Sequence, residues 1–287
     1  MTAEKRAFSL TCVLLVLCIL LSCCVGFFLT HGDVTYRLFL RMRRYPALDL
    51  CVADLTGEAR EWSIDELLRE EGVTFSSTLM LVNASHPLPP DYEPALTEYN
   101  GAQMHPDMVS AYVALRDEVE RRTGMRLYVT DDYRTPAEQE KILSESGADV
   151  AAAIGCSEHE AGLALDVCVK YFGGESFLKT RAGRLVGEIC ADYGYVIRYP
   201  LGKENVTGIA YEPWHLRYVG APHAKLMAES GLTLEKYYAV LQPNVWYASG
   251  DYLISKQTNS SLLLPTAWST CEISPDNMGG YLVTVKK

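Results

Sequence analysis

Residues 156–169 read CSEHEAGLALDVCV. Leu163, Leu165, Val167 and Val169 recur at every second position, the period of a β-strand with one face in a core. Asp166 falls on the opposite face, where a carboxylate is costly unless it meets a cation, a donor or a metal. His159 stands before Gly162, in the turn that feeds this strand, and from there it folds back over the Asp166 face. The plainer alternative makes Asp166 a cap beside an unrelated surface histidine, since a neutral imidazole needs no metal partner.

A second stretch, YEPWHLRYVG at residues 211–220, sets Glu212 and His215 three apart. Pro213 removes a backbone donor and disfavours a helix. On a flat strand, positions three apart point to opposite faces, so the segment has to bend for both to share a site. Its plain alternative is a rim with Trp214 in the core and both polar groups solvated. Taken together, the stretches offer two imidazoles, an aspartate and a spare glutamate. Three protein ligands with an open fourth position are the pattern of catalytic zinc, and the spare acid is the general base. The other histidines, His31, His86, His105 and His223, lack such company and read as surface or capping groups. Cys156 or Ser157 as a nucleophile is the weaker route, because an imidazole bound to metal has no basic nitrogen left to activate it.

The bulk composition narrows the partners. A chain of 287 residues with 48% apolar and 22% charged residues suits one packed catalytic domain plus an appendage. A formal charge of −10 argues against a nucleic-acid partner, and an anionic substrate needs a local cation. Residues 7–29 carry no charge, which is long enough to cross a bilayer and too long for the apolar core of a cleaved signal. This run reads as an uncleaved single-pass transmembrane helix, with the membrane as a partner. Arg37, Arg41, Arg43 and Arg44 follow it, so the positive-inside rule alone would keep the body cytoplasmic. Cys51, Cys156, Cys168, Cys190 and Cys271 are an odd number with no CxxC spacing, giving neither a zinc ribbon nor a disulfide framework.

Along the chain, residues 1–30 read as the anchor and 31–75 as a linker with a short helix capped by Ser63. Residues 76–241 form the main domain, and 242–287 a small β-rich appendage of short strands between Gly, Pro, Ser and Asn. Within the main domain the pattern predicts a strand from about residue 77 and an amphipathic helix ending at Gly124. A strand in MRLYVTDDYRT, residues 125–135, follows, then a helix opened by Thr135, Pro136 and Glu138 as a capping box. Another helix ends at Gly194 and leads into a strand at 195–200, two short β segments lie around 207–220, and helices cover 222–229 and 233–241.

SEHEAGLALD followed by EPWHLRYVG closely resembles the zinc D-alanyl-D-alanine carboxypeptidases of the VanY type, whose pattern is Ser-x-His-x-x-Gly-x-Ala-x-Asp and then Glu-x-x-His. LMLVNASHPLPPDYEP and YRTPAEQ are similar to the same family, so the resemblance covers roughly residues 78–238. It implies an α+β fold, a small antiparallel sheet flanked by helices, as in zinc D-Ala-D-Ala peptidases and hedgehog-like domains. It implies Zn2+ held by His159, Asp166 and His215, with Glu212 as catalytic base. Arg134 would stabilise the oxyanion or orient the scissile carbonyl, and Gln139, Ser157, Tyr133 and Trp214 would line the substrate site. One departure is visible: the family usually has Ser-Gly-Tyr-Arg where this chain has Asp131, Asp132, Tyr133 and Arg134. The implied activity is removal of the C-terminal D-alanine from peptidoglycan stem peptides or precursors, outside the cell membrane. The alternatives are L,D-carboxypeptidase action on tetrapeptide stems and a non-catalytic, zinc-stapled module that binds the wall.

Overall fold

The computed structural model describes residues 21, 22, 26, 30–147 and 151–287. The first half forms α1 (Gly32–Met42), β1 (Cys51–Val52), β2 (Ala59–Ser63), α2 (Ile64–Leu67), β3 (Val73–Phe75), β4 (Thr97–Tyr99), β5 (Ala102–Met104), α3 (Pro106–Thr123), β6 (Tyr128–Asp131) and α4 (Pro136–Ser146). The second forms β7 (Ala164–Cys168), α5 (Arg181–Ile189), β8 (Tyr195–Ile197), α6 (Glu204–Thr207), β9 (His215–Tyr218), α7 (Ala221–Ser230) and α8 (Leu234–Val240). Strands β10 (Trp246–Ser249), β11 (Tyr252–Gln257), β12 (Ser261–Pro265), β13 (Thr270–Pro275) and β14 (Tyr281–Lys286) complete it. The fold is mixed α+β, as the sequence implies.

The long helices start and stop where their side chains satisfy the chain ends. In α3 the His105 imidazole accepts from the Asp107 amide, Pro106 occupies the first turn, and Gly124 closes the helix at φ 73°. Its inward face buries Met108, Tyr112, Leu115 and Val119. In α4 Thr135 and Glu138 form the expected capping box.

Strands β6, β7, β9 and β8 make one antiparallel sheet in that order. Helices α3 and α5 cover one face of it, where Leu165, Val167 and Leu216 pack with Leu115, Val119, Leu185 and Val186. The opposite face carries Asp166, as the alternation predicts.

The backbone departs from the sequence reading in several places. Residues 31–75, read as a linker, supply β1, β2 and β3, and these pair with β10, β12 and β13 of the C-terminal region. Short edge strands of this kind carry too little period to stand out in sequence. Residues 78–82, expected as a strand, are buried but irregular. Their carbonyls are satisfied by side chains instead: Arg217 donates to Thr78 and Met80, Tyr238 to Leu79 and Asn277 to Leu81. Of the two β segments expected around residues 207–220, only β9 forms, preceded by α6 and a turn.

The membrane helix expected at residues 7–29 lies almost wholly outside the described residues, and among those described no helix is long and apolar enough to cross a membrane. The five cysteines beyond that run are free thiols.

His223, read as a surface or capping group, is instead 1% exposed, with Nδ1 bonded to Tyr237 and Nε2 to Thr284 of β14. Burial holds its pKa down at about 3. The unfolded chain therefore takes up this proton first, so the stability His223 contributes is intact above about pH 6.5 and drains away as pH falls toward about 3. In urea unfolding across that window, His223→Gln should remove about 1.4 kcal/mol per pH unit from the wild-type slope.

Candidate metal centre

Three elements converge on the open face of the four-stranded sheet. The turn at residues 157–162 closes through Gly162 N donating to His159 O at 3.0 Å and sets His159 at its apex. Gly162 has φ +69°, and an added Cβ would sit 2.7 Å from Leu96, so the turn needs glycine for both shape and room. Asp166 lies in mid-β7 and pairs in register with His215 at the start of β9. Opposed residues on neighbouring antiparallel strands bring their side chains together. The bend required around Pro213 is a turn in which His215 N donates to Glu212 O at 3.3 Å, which brings Glu212 to the same side.

The side-chain geometry is that of a ligand set. His159 Nε2 lies 3.4 Å from Asp166 Oδ1, and His215 Nδ1 lies 3.1 Å from the same oxygen. Ligand atoms of the three residues all fall within 4.8 Å of one another. Donors about 2.1 Å from one tetrahedral ion stand about 3.4 Å apart, so the spacing fits zinc. Each imidazole has an acceptor beside its far nitrogen. His159 Nδ1 donates to the Asp132 carbonyl at 2.6 Å, and His215 Nε2 faces Glu158 Oε2 at 3.5 Å. A carbonyl and a carboxylate only accept, so Nε2 of His159 and Nδ1 of His215 keep free lone pairs aimed at Asp166. Asp166 Oδ1 and His159 Nε2 are buried and have no hydrogen-bond partner within the protein, and the same holds for His215 Nε2 and Glu158 Oε2 behind them. Buried polar atoms left so are expensive unless something else binds them.

Charge gives the same answer. Glu158, fully buried, accepts from Arg198 Nε and Arg217 NH1, both at 2.6 Å, and Arg198 also grips Glu235 with both terminal nitrogens. Burial pushes the Glu158 carboxyl upward, but the two guanidiniums hold it far below the usual range. These two acids and two arginines balance. Of the carboxylates that face His215, Asp166 and Glu212 remain, since Arg134 is committed to Asp131 at 2.5 Å. Burial lowers the His215 pKa, yet Asp166 and Glu158 outweigh it and bring it up to about 9. The site calls for positive charge, and two uncompensated carboxylates match a divalent ion.

The other expected residues divide. Arg134 is half-buried near this face, its Nε and NH2 on Asp131 and its NH1 on Gln139 Oε1 at 3.0 Å. Gln139 and Ser157 were expected to line the substrate site. Gln139 is instead fully buried, its amide bridging Arg134 and the Ala152 carbonyl, and Ser157 is 4% exposed, with Oγ accepting from His159 N. Both hold other site residues in place. Trp214 packs against the core under the sheet, while Tyr133 is partly exposed. Asp132, where the family has glycine, is not among the residues with positive φ, so a Cβ there costs nothing, and its carboxylate accepts from Gln103 N.

Comparison with known proteins agrees with this geometry. The profile of the VanY family, D-alanyl-D-alanine carboxypeptidase, matches residues 101–221. The bifunctional D-Ala-D-Ala dipeptidase and carboxypeptidase VanXYC of Enterococcus gallinarum is 35% identical over 185 residues, covering 59% of this chain and 97% of that one. The chain belongs to the VanY family. Among solved VanY-family structures, a variant of the vancomycin-resistance D,D-pentapeptidase VanY in complex with Zn(II) aligns at 30% identity and a TM-score of 0.51, covering 56% of this chain and 98% of that one. The LD-carboxypeptidase LdcB aligns at 30% identity and a TM-score of 0.53, covering 60% and 92%.

Glu158, Arg198, Arg217 and Glu235 escaped the sequence reading, although the signal was present. Arg198 and Arg217 interrupt the apolar strands YVIRY and HLRYV, and a charge at such a position demands a buried partner for the reason already applied to Asp166. Glu158→Gln keeps the side-chain shape and should weaken metal binding by about 10–100-fold, as loss of such a supporting carboxylate does elsewhere. Competition against a chelator of known affinity, with the fold checked by circular dichroism, measures it.

Proposed function

We propose that this protein is a zinc peptidase that removes the C-terminal D-alanine from peptidoglycan stem peptides. The observation that carries the reading is the convergence of His159, Asp166 and His215, with Glu212 Oε2 3.7 Å from His215 Nδ1, in a chain of the VanY family. These three residues would hold the ion. Zinc bound there supplies the Lewis acidity that lets water attack a peptide bond near neutral pH.

The chain's own residues do the rest. Burial raises the Glu212 pKa and Asp166 adds to the rise, while His215 and Arg134 counter it. A carboxylate so poised takes the proton of the attacking water and returns it to the departing D-alanine amine. Arg134, oriented by Asp131 and Gln139, donates to the carbonyl oxygen as negative charge develops on it. Asp131 occupies much of the Arg134 guanidinium, so the cation serves as a fixed hydrogen-bond donor more than as a free countercharge. Structural zinc takes four protein ligands, and among the described residues the cluster has three with an acid alongside, which favours catalysis over a wall-binding staple.

The resemblance to LdcB supports a second specificity, L,D-cleavage of tetrapeptide stems. The reading also makes residues 7–29 a single-pass anchor and places the domain outside the membrane, beside the wall peptides. The support is the uncharged length of that run.

Glu212→Ala should retain the metal yet lose at least about 10²–10⁴-fold in hydrolysis, the usual worth of a positioned base. Normal turnover in that variant refutes the mechanism. Mass spectrometry of defined stem peptides should show alanine released from pentapeptides ending in D-Ala-D-Ala. Release should stop on chelation and return with added zinc. Cleavage confined to tetrapeptides would assign the L,D activity instead.

A further inference from the structure

Helix α1 is inside out for a protein surrounded by water. Tyr36 is buried, with its hydroxyl against Gly187 of α5, and the Arg37 guanidinium stacks 5.2 Å from the centre of the Tyr211 ring. The outward face carries Val34, Leu38, Phe39 and Met42, which are 39%, 44%, 52% and 71% exposed. At 100° per residue Val34, Leu38 and Met42 form a single stripe, with Phe39 at its edge. A helix on a water-facing surface normally turns such a stripe to the core.

Cations surround this stripe. Arg41 borders it, and Arg43 and Arg44 follow the helix end, all three exposed. Beside α1, Arg122, Arg181 and Arg184 outnumber Glu188 in the lining of a shallow depression, with Arg184 against Gly32. Such a concentration stands out on a chain of net charge −10.

We propose that α1 is an interfacial helix that lies on an anionic phospholipid surface. Val34, Leu38, Phe39 and Met42 enter the boundary between headgroups and acyl chains, and Arg41, Arg43 and Arg44 meet the phosphates. Two observations favour lipid over other occupants. A second copy docked face to face would set the same arginines against one another, whereas anionic headgroups complement them. The uncharged run at residues 7–29 ends three residues before Gly32, so α1 begins where a spanning segment leaves the hydrocarbon. The docking is distinct from anchoring: a tether leaves the body free to tumble, while α1 presses it to the surface in one orientation. Arg37 on Tyr211 links that orientation to the turn that carries Glu212.

The test uses the full chain, one copy per lipid nanodisc, with Phe39→Trp read against the four native tryptophans. Hydrolysis by this variant should be unchanged, since Phe39 lies outside the site. Discs of phosphatidylcholine are compared with discs containing phosphatidylglycerol, each with bromine placed shallow or deep along the acyl chains. The added indole should emit to the blue and be quenched more by shallow than by deep bromine, and phosphatidylglycerol should strengthen that quenching. Combined Arg41→Glu, Arg43→Glu and Arg44→Glu should abolish the phosphatidylglycerol effect. Emission typical of water without quenching overturns the proposal, as does failure of the chain to enter the discs. A blue shift that needs two chains per disc also overturns it and assigns the stripe to a second copy.

Discussion

The buried carboxylate of Glu158, clamped between Arg198 and Arg217, is the contact on which the arrangement turns. All three side chains are at most 1% exposed, and charges so placed are tolerated only when every group is matched. Each remaining nitrogen of the two arginines is used structurally. Arg217 reaches the carbonyls of Thr78, Met80 and Tyr218, which fastens the irregular segment at 78–82 to β9. Arg198 reaches Glu235 at the start of α8. The other oxygen of Glu158 faces the far nitrogen of His215, so the cluster that joins the pieces of the core also aims a candidate ligand. Breaking such a pair from one side typically costs about 3–5 kcal/mol, because the surviving charge stays buried.

From that anchor the site follows by register. The antiparallel pairing of β7 with β9 sets Asp166 opposite His215, and β6 sets Asp131 opposite Asp166 with a bulge between Val129 and Asp131. A slip of one residue in either pairing would turn Asp166 or His215 into the core. The hydrophobic face shared with α3 and α5 prevents it, since Leu165, Val167 and Leu216 are fully buried there. Packing on one face of the sheet thus fixes chemistry on the other. Rigid strands carry two of the three candidate ligands and a tight glycine-dependent turn carries the third, which suits a centre that has to hold its geometry through a reaction.

The C-terminal strands are built into the same body. Leu79 N donates to Ser274, Leu81 N to the Asp276 carbonyl, and His223 joins α7 to β14 through Thr284. The six-stranded sheet takes its edges from β1 and β3, which arrive from far earlier in the chain. These long-range ties put the supports of the 78–82 segment on residues nearly two hundred positions away, so the region around the centre depends on the whole fold.

Much was legible before any coordinates. The alternation through Leu163 to Val169 gave β7 and put Asp166 on the polar face, the capping signals opened α4 and closed α3, and the two motifs supplied His159, Asp166, Glu212 and His215, which the fold brings together. Each of these is local, written in the period or in the chemistry of a few adjacent residues. The parts that escaped are those whose partners are distant. Nothing near Glu158 announces Arg198 or Arg217, and nothing near residue 79 announces that side chains will satisfy its backbone. Gln139 and Ser157 lie where the motif places them, yet only packing decides that they face inward to support Arg134 and His159. The sequence by itself determined which groups can do chemistry and which elements carry them, because periodicity and capping act over a few residues. Tertiary structure alone decided which charges neutralise one another and which are left for an ion, because that balance is set between residues that only folding brings together.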